Sequence, residues 1–436
     1  MSKVAFYTLG CKVNQYETEA MIELFENDNY EVVSFDEYAD VYVINTCTVT
    51  NLGDKKSRQM IRRAKKINPD SIIAVVGCYV QTAPKEVEAI EGVNIIIGTD
   101  NRSRIIELIH EYEKKHKKIN IVNDIMNVKQ FEELGVNKLE GKTRAYLKIQ
   151  EGCNQYCSYC IIPYARGPIR SRKPENIVKE VKTLVDNGFK EIVLTGIHIA
   201  SYGKDLDEDI NLLKIIKMVH TIDGLKRIRL SSIEPSIITE EFVKEIKILP
   251  KICPHFHLSL QSGCDATLKR MNRKYNSTQY RKSVELLKQN IPNVAITTDI
   301  IVGFPGETEE EFNQSYKFVK EIGFSQIHVF KYSPRKGTPA AKMSNQIASN
   351  IKDERSHKMI TLGEKMQREF LLKQLGKNLE VLFENKVENK QNFYEGYSTN
   401  YLKVLAFSEE NIENKILKVN IKKLDENTLK GDIKSY

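Results

Sequence analysis

From Val4 to Leu372, short apolar runs alternate with longer amphipathic stretches, and this alternation limits the chain to strand–helix architectures. In residues 1–115 the apolar runs are VAFYTLGC, VYVINTC, SIIAVVGC and VNIIIGT. The amphipathic NQYETEAMIELFENDNY, DKKSRQMIRRAKKINPD and RIIELIHEYEKK lie between and after them. They predict an α/β layer on a mainly parallel sheet. Residues 116–138 lack a clear period and read as a linker. In residues 139–370 the pattern resumes through AYLKIQ, EIVLTGI, RIRLSSI, HFHLSLQ, AITTDIIVGF and QIHVFKY. Six such units predict a partial TIM-type barrel with its chemistry at the C-terminal strand ends. Residues 372–436 change to short β-rich pieces split by polar turns, the pattern of a small OB-like β-barrel. The fold class is therefore α/β, in three domains, as expected for 436 residues.

No apolar run is long enough to span a bilayer, and no charged-then-apolar leader precedes Val4–Leu9. The expectation is a cytoplasmic protein with no membrane partner. In a reducing compartment its eight cysteines point to metal ligation or catalysis rather than to disulfides. A net charge of +8 permits a nucleic-acid partner without demanding one.

Three of those cysteines share one loop. Cys153, Cys157 and Cys160 form C-x3-C-x2-C just after the first barrel strand. Thiolates suit zinc or iron–sulfur clusters, and structural zinc takes four protein ligands where this loop offers three. The candidates His255 and His257 lie far off in sequence. A second trio is dispersed: Cys11, Cys47 and Cys78 each end a predicted strand. If those strands run parallel, the three thiols meet at one sheet edge, where α/β proteins bind ligands. Gly10 and Gly77 would permit the sharp turns, and Asn45 and Thr46 would hydrogen-bond cluster sulfurs. The plainer reading is three buried free cysteines. Cys253 and Cys264 are expected to serve packing.

The loop spacing, Tyr159 before the last cysteine and the barrel context resemble the radical S-adenosylmethionine superfamily. That resemblance implies a three-cysteine [4Fe-4S] cluster whose open iron chelates S-adenosylmethionine, which reductive cleavage converts to a 5′-deoxyadenosyl radical. It also implies cofactor contacts at Tyr159, Thr195, Gly196, Ser259, Gln261, Asp299 and Gly303. For the glycines a plain tight turn, and for Ser259 and Asp299 a capping role, remain open. Over nearly the whole chain, TLGCKVNQYETEAM, INTCTVTNLGDKKSRQMIRRA, VVGCYVQ, EGCNQYCSYCIIPYARGPIRSR and HFHLSLQSGCDATLKRMNR resemble the methylthiotransferase family. The tail resembles its RNA-binding TRAM domain.

The resemblance implies a second [4Fe-4S] cluster on Cys11, Cys47 and Cys78, with no side-chain acid or base as catalyst. LGCKVNQYETE is similar to the subgroup that methylthiolates C2 of N6-threonylcarbamoyladenosine at tRNA position 37. Sibling enzymes act on isopentenyladenosine or a ribosomal aspartate, and a non-catalytic iron–sulfur RNA-binding protein is the alternative from another class. The cobalamin motif D-x-H-x-x-G is absent from the first domain. Implied partners are the tRNA anticodon loop and a flavodoxin or ferredoxin as electron donor, with the chain as a monomer. Two basic runs are candidate phosphate contacts: Lys55 to Lys66, and Arg166, Arg170, Arg172 and Lys173, the second expected to be the stronger. The role of Glu234 in SSIEPS is not evident from sequence.

Overall fold

The computed structural model describes residues 1–136, 143–207, 209–388 and 390–434. The first unit is a parallel sheet of β1 (Lys3–Thr8), β2 (Glu31–Val33), β3 (Val41–Thr46), β4 (Ile72–Gly77), β5 (Ile95–Ile97) and β6 (Ile119–Asn120). Its order is β2-β1-β3-β4-β5-β6. β3 is buried along its whole length, as a central parallel strand covered on both faces must be. Helices α1 (Lys12–Asn27), α2 (Asn51–Ile67) and α3 (Cys78–Thr82) start at or soon after the C-terminal ends of β1, β3 and β4. Those three strands are neighbours in the sheet, so the segments that follow them share one edge.

The second unit contains β7 (Arg144–Glu151), β8 (Arg170–Ser171), β9 (Glu191–Gly196), β10 (Arg227–Leu230), β11 (His255–His257), β12 (Ala295–Val302) and β13 (Gln326–Lys331). β7, β9 and β10 pair in parallel, as do β11, β12 and β13. The bridges Ile228–Ile252 and Ile233–Leu258 join the two arcs. Six parallel strands thus curve into the expected partial barrel. Ala145, Leu147, Ile149, Ile192, Leu194, Ile228, Phe256, Ile296 and Ile300 lie in the main hydrophobic cluster with the helices outside. Strand alternation then turns Arg144, Tyr146, Arg229, His255, His257 and Asp299 inward. The lumen is polar, unlike the packed interior of a closed barrel.

The third unit is a closed barrel of β14 (Asn378–Lys386), β15 (Phe393–Ser398), β16 (Lys403–Phe407), β17 (Ile416–Asp425) and β18 (Thr428–Ile433). It docks against the N-terminal ends of the larger barrel's strands. Arg227 donates to the backbone oxygens of Glu380 and Tyr397, and Arg229 to that of Thr399.

The segment expected as a linker is more structured than its composition suggests. It supplies β6, buries Leu134 and Val136 in the main core, and pairs Glu132 with Arg102 and Glu133 with Arg172. A two-residue strand and isolated apolar anchors leave no period to read. The expected linker–barrel boundary falls within residues 137–142, outside the described residues. No described helix is long and apolar enough to cross a membrane.

Candidate active site between the sheet edge and the barrel mouth

Cys11 follows β1, Cys47 follows β3 and Cys78 opens α3 after β4, so adjacent parallel strands deliver the three dispersed thiols to one edge. A β-carbon added to Gly10 would lie 3.1 Å from Cys47 Sγ, and Gly10 holds φ +108 to make that approach. Cys11 is exposed, Cys47 half-buried and Cys78 buried. The second trio sits on the loop after β7, anchored where the Cys153 amide donates to the Gly167 carbonyl and that of Cys160 to Cys157.

An arginine from elsewhere in the chain meets a sulfur in each trio. Arg166, at the end of the short helix Ile162–Arg166, donates from Nε to Cys78 Sγ at 3.1 Å. Its Nη1 pairs with Glu17 (2.6 Å) and Glu151 (3.2 Å), and its Nη2 donates to Asn14 (2.6 Å). Arg273 donates from Nη1 to Cys157 Sγ at 3.2 Å and pairs with Glu234 at 3.0 Å. Glu234 in turn meets His198 at 3.2 Å. Such N–H groups stabilise sulfur-centred charge and tune a cluster's potential.

Burial pushes the Cys78 and Cys160 thiols up to about 12 and Cys153 up to about 11. Thiols so raised are protonated at pH 7, and a metal held by them would have to displace those protons. Among the described residues no three His, Cys, Asp or Glu side chains converge on the position of one metal ion. Two soft three-thiol sets, each with a cationic N–H donor at one sulfur, fit iron–sulfur clusters better than a lone ion.

A cavity of about 230 Å³ opens between the units. Val49 and Thr50, just past Cys47, form one wall; Tyr159, Cys160, Gln261 and Asp299 form another, with Phe330 and Tyr332 alongside. Arg335 pins the first wall by bonds to Asp54 (2.5 Å), Asn51 (2.5 Å) and Thr48 (2.7 Å). On the opposite flank Glu17 of α1 binds Lys148 of β7 (3.1 Å) and Arg102 (2.5 Å), all fully buried. Ion pairs on both sides thus fix the spacing between the sheet edge and the barrel mouth.

Among the expected cofactor residues, Tyr159, Gln261 and Asp299 line this cavity. Thr195 and Gly196 end β9 beside Gln150, and Ser259 is half-buried, its carbonyl accepting from Tyr275. Gly303 faces elsewhere: its amide donates to Glu307, and an added β-carbon would strike Lys352 at 2.4 Å.

Two expectations are corrected. Arg166, Arg170 and Arg172 are 0%, 2% and 4% exposed, so they do not reach phosphates. Arg166 is satisfied as above, Arg170 donates to the Pro168 carbonyl, and Arg172 pairs with Glu133 and Glu180. Only Lys173 of that run is exposed, whereas Lys55, Lys56, Arg62 and Lys66 of α2 face solvent. Charge clustering gives no sign of burial, which is why the sequence offers these three arginines as phosphate contacts. Asn45 and Thr46 do not meet sulfur either. Asn45 donates to the Asn14 carbonyl and Thr18, and Thr46 to the Val76 carbonyl, so they brace strand ends. Cys253 and Cys264 are buried, Cys264 donating to Gln314.

Comparison with known proteins joins these parts. A model of the radical SAM superfamily matches residues 147–319, and one described as uncharacterized protein family UPF0004 matches residues 3–98. The chain is 50% identical to the threonylcarbamoyladenosine tRNA methylthiotransferase MtaB of Bacillus subtilis over 97% of this chain and 94% of the relative. The protein of the same name from Aquifex aeolicus is 42% identical, over 87% and 92%. A tRNA-2-methylthio-N(6)-dimethylallyladenosine synthase from Thermoanaerobacter pseudethanolicus is 37% identical, over 98% and 91%. Among solved structures, the radical S-adenosylmethionine methyltransferase TsrM of Kitasatospora setae superposes with TM-score 0.57 at 17% identity, over 78% of this chain and 77% of that one. That likeness is one of fold alone. Identity of this depth along nearly the full length of the Bacillus protein makes the chain a member of the radical S-adenosylmethionine methylthiotransferase family.

Proposed function

We propose that the chain methylthiolates C2 of N6-threonylcarbamoyladenosine at position 37 of tRNA. The observation that carries the reaction class is the single cavity with Cys160 on one wall and the residues after Cys47 on the other. In this reading Cys153, Cys157 and Cys160 hold the [4Fe-4S] cluster that binds S-adenosylmethionine, and Cys11, Cys47 and Cys78 hold a second. When bound, these groups supply the electron, the radical, the sulfur and the methyl group. The chain's own residues do the rest. Arg335–Asp54 and Arg166–Glu17 keep the two walls in register, because radical and sulfur must act on one carbon. Tyr159, Phe330 and Tyr332 give the cavity an aromatic lining suited to a flat base.

The threonylcarbamoyl substrate is supported by the higher identity to enzymes named for it than to those named for the dimethylallyl base. Lys55, Lys56, Arg62 and Lys66 of α2, which begins at the cavity edge, are the phosphate contacts we favour. The C-terminal barrel is a second RNA-binding surface, a flavodoxin or ferredoxin delivers the electron, and the chain works as a cytoplasmic monomer. Anaerobically reconstituted protein, supplied with S-adenosylmethionine, reductant and tRNA, tests this by nucleoside analysis. The expected product is the 2-methylthio derivative of threonylcarbamoyladenosine. Modification of isopentenyladenosine alone would reassign the substrate, and 5′-deoxyadenosine without any methylthio product would refute the transfer.

A further inference from the structure

Below the cavity the barrel lumen carries a set of charges that the chemistry above it does not use. Arg229 is paired with Glu191 at 2.6 Å and Arg144 with Glu384 at 3.1 Å. Asp299, which also lines the cavity, meets His257 at 3.2 Å, and His257 stacks on His328 with ring centroids 6.2 Å apart. Tyr401 of the C-terminal barrel closes the floor, against His255 (4.9 Å) and under the Arg229 guanidinium (4.6 Å).

Lys12 breaks this pattern. It is the first residue of α1, directly after Cys11, and is half-buried with its ammonium 5.9 Å from the centre of the inward-facing Tyr146 ring. Its electrostatic neighbours include Arg144, Arg229, His255, His328 and Glu191, the last already paired with Arg229, which sets it in the lumen rather than on the outer surface. Among the described residues no carboxylate lies within ion-pair distance of it. Nearby, His255 Nδ1 is buried without a hydrogen-bond partner, while His257 Nε2 faces Asp299. A desolvated cation near an orphaned ring nitrogen is costly unless a ligand answers it.

We infer that the lumen receives the N6 substituent of the target base and that Lys12 pairs with its carboxylate, which makes Lys12 a specificity-determining residue. The inference rests on the threonylcarbamoyl reading and deepens it. With the base held in the cavity, the substituent leads past Asp299 and His257. Its carboxylate stands roughly 5 Å beyond the purine nitrogen by ordinary bond lengths. The ureido and hydroxyl groups face the histidine nitrogens on the way. A hydrocarbon substituent would bring no counter-charge and would leave Lys12 desolvated and unpaired. A site built around a polar group rejects the analogue that lacks it in this way.

The test uses full-length reconstituted protein and two tRNAs, one with threonylcarbamoyladenosine and one with its carboxylate masked as the methyl ester. Wild type should show a KM for the ester raised on the order of 10- to 100-fold, as loss of a charge-assisted bond requires. Lys12→Gln should have a high KM for both and lose most of that ratio, while Lys12→Arg should retain it. The ratio within one variant does not depend on the fraction of active protein, so a folding defect cannot imitate the result. Lys12→Gln with the wild-type ratio intact would overturn the assignment. A wild type that leaves both tRNAs unmodified while cleaving S-adenosylmethionine would refute the substrate reading and the lysine's role with it.

Discussion

The two cysteine trios reach similar surroundings by opposite routes. Cys153, Cys157 and Cys160 come from eight consecutive residues, and the loop alone sets their proximity. Cys11, Cys47 and Cys78 are brought together by a parallel sheet, each following one of three neighbouring strands. Each trio is then finished by an arginine from a remote segment: Arg273 at Cys157, and Arg166 at Cys78. Arg166 belongs to the segment after the other trio, so the loop that carries one trio also buttresses the second. The loop sets its three thiols by local geometry, whereas the dispersed three need the folded sheet and keep their arginine only while sheet and barrel stay docked.

The largest effects should separate the trios by reaction. Cys157→Ala is expected to reduce 5′-deoxyadenosine release to background. Cys78→Ala should retain measurable release and lose methylthio product, both followed by chromatography of one reaction mixture. Loss of both activities in Cys78→Ala would erase the distinction.

Arg166→Gln comes next. It leaves Glu17 and Glu151 buried with less counter-charge, and unpairing a buried charge costs about 3–5 kcal/mol. Chemical denaturation should show that loss, with Arg166→Lys intermediate because one ammonium cannot serve sulfur, carboxylates and amide together.

Arg273→Gln removes the N–H at Cys157 and frees Glu234 on one side. Loss of such a supporting contact is worth about 10- to 100-fold in metal affinity or activity. The loop cluster's potential should fall, read by electron paramagnetic resonance titration, while the signal of the other cluster stays in position. Movement of both signals would mean that the arginines are not specific to their trios.

The smallest effect is one of pH. Burial would raise the Glu17 carboxyl, but Arg102, Arg166 and Lys148 together hold it below the usual carboxylate range. Its contribution is therefore complete above the unfolded value of about 4.3 and is lost as pH falls through the lower folded value. Hydrogen-exchange protection of α1, taken relative to the intrinsic rate at each pH, should fall as the pH drops below that range, before the C-terminal barrel loosens. Simultaneous loss would argue against a separate docking contact.

These contrasts also mark what the sequence made legible. The loop trio is visible by spacing, and the dispersed trio by noticing that each cysteine ends an apolar run, which needs only the parallel-sheet rule. The barrel strands and the β-rich tail are legible for the same reason, because period and length suffice. Burial and tertiary proximity are not legible. Arg166 reads as one more basic residue after the motif, and Arg273 lies more than a hundred residues from Cys157. His198, Glu234 and Arg335 carry no local signal either. Asn45 shows the opposite failure, where a residue next to an expected site serves as a brace instead.

Iron counting combined with electron paramagnetic resonance on anaerobically reconstituted protein tests the central claim most directly. Wild type should hold about eight irons per chain and the Cys11→Ala, Cys47→Ala, Cys78→Ala variant about four, as two cubane clusters and one require. S-adenosylmethionine should perturb the signal that survives in the variant. About four irons in both proteins, with identical spectra, would contradict the account.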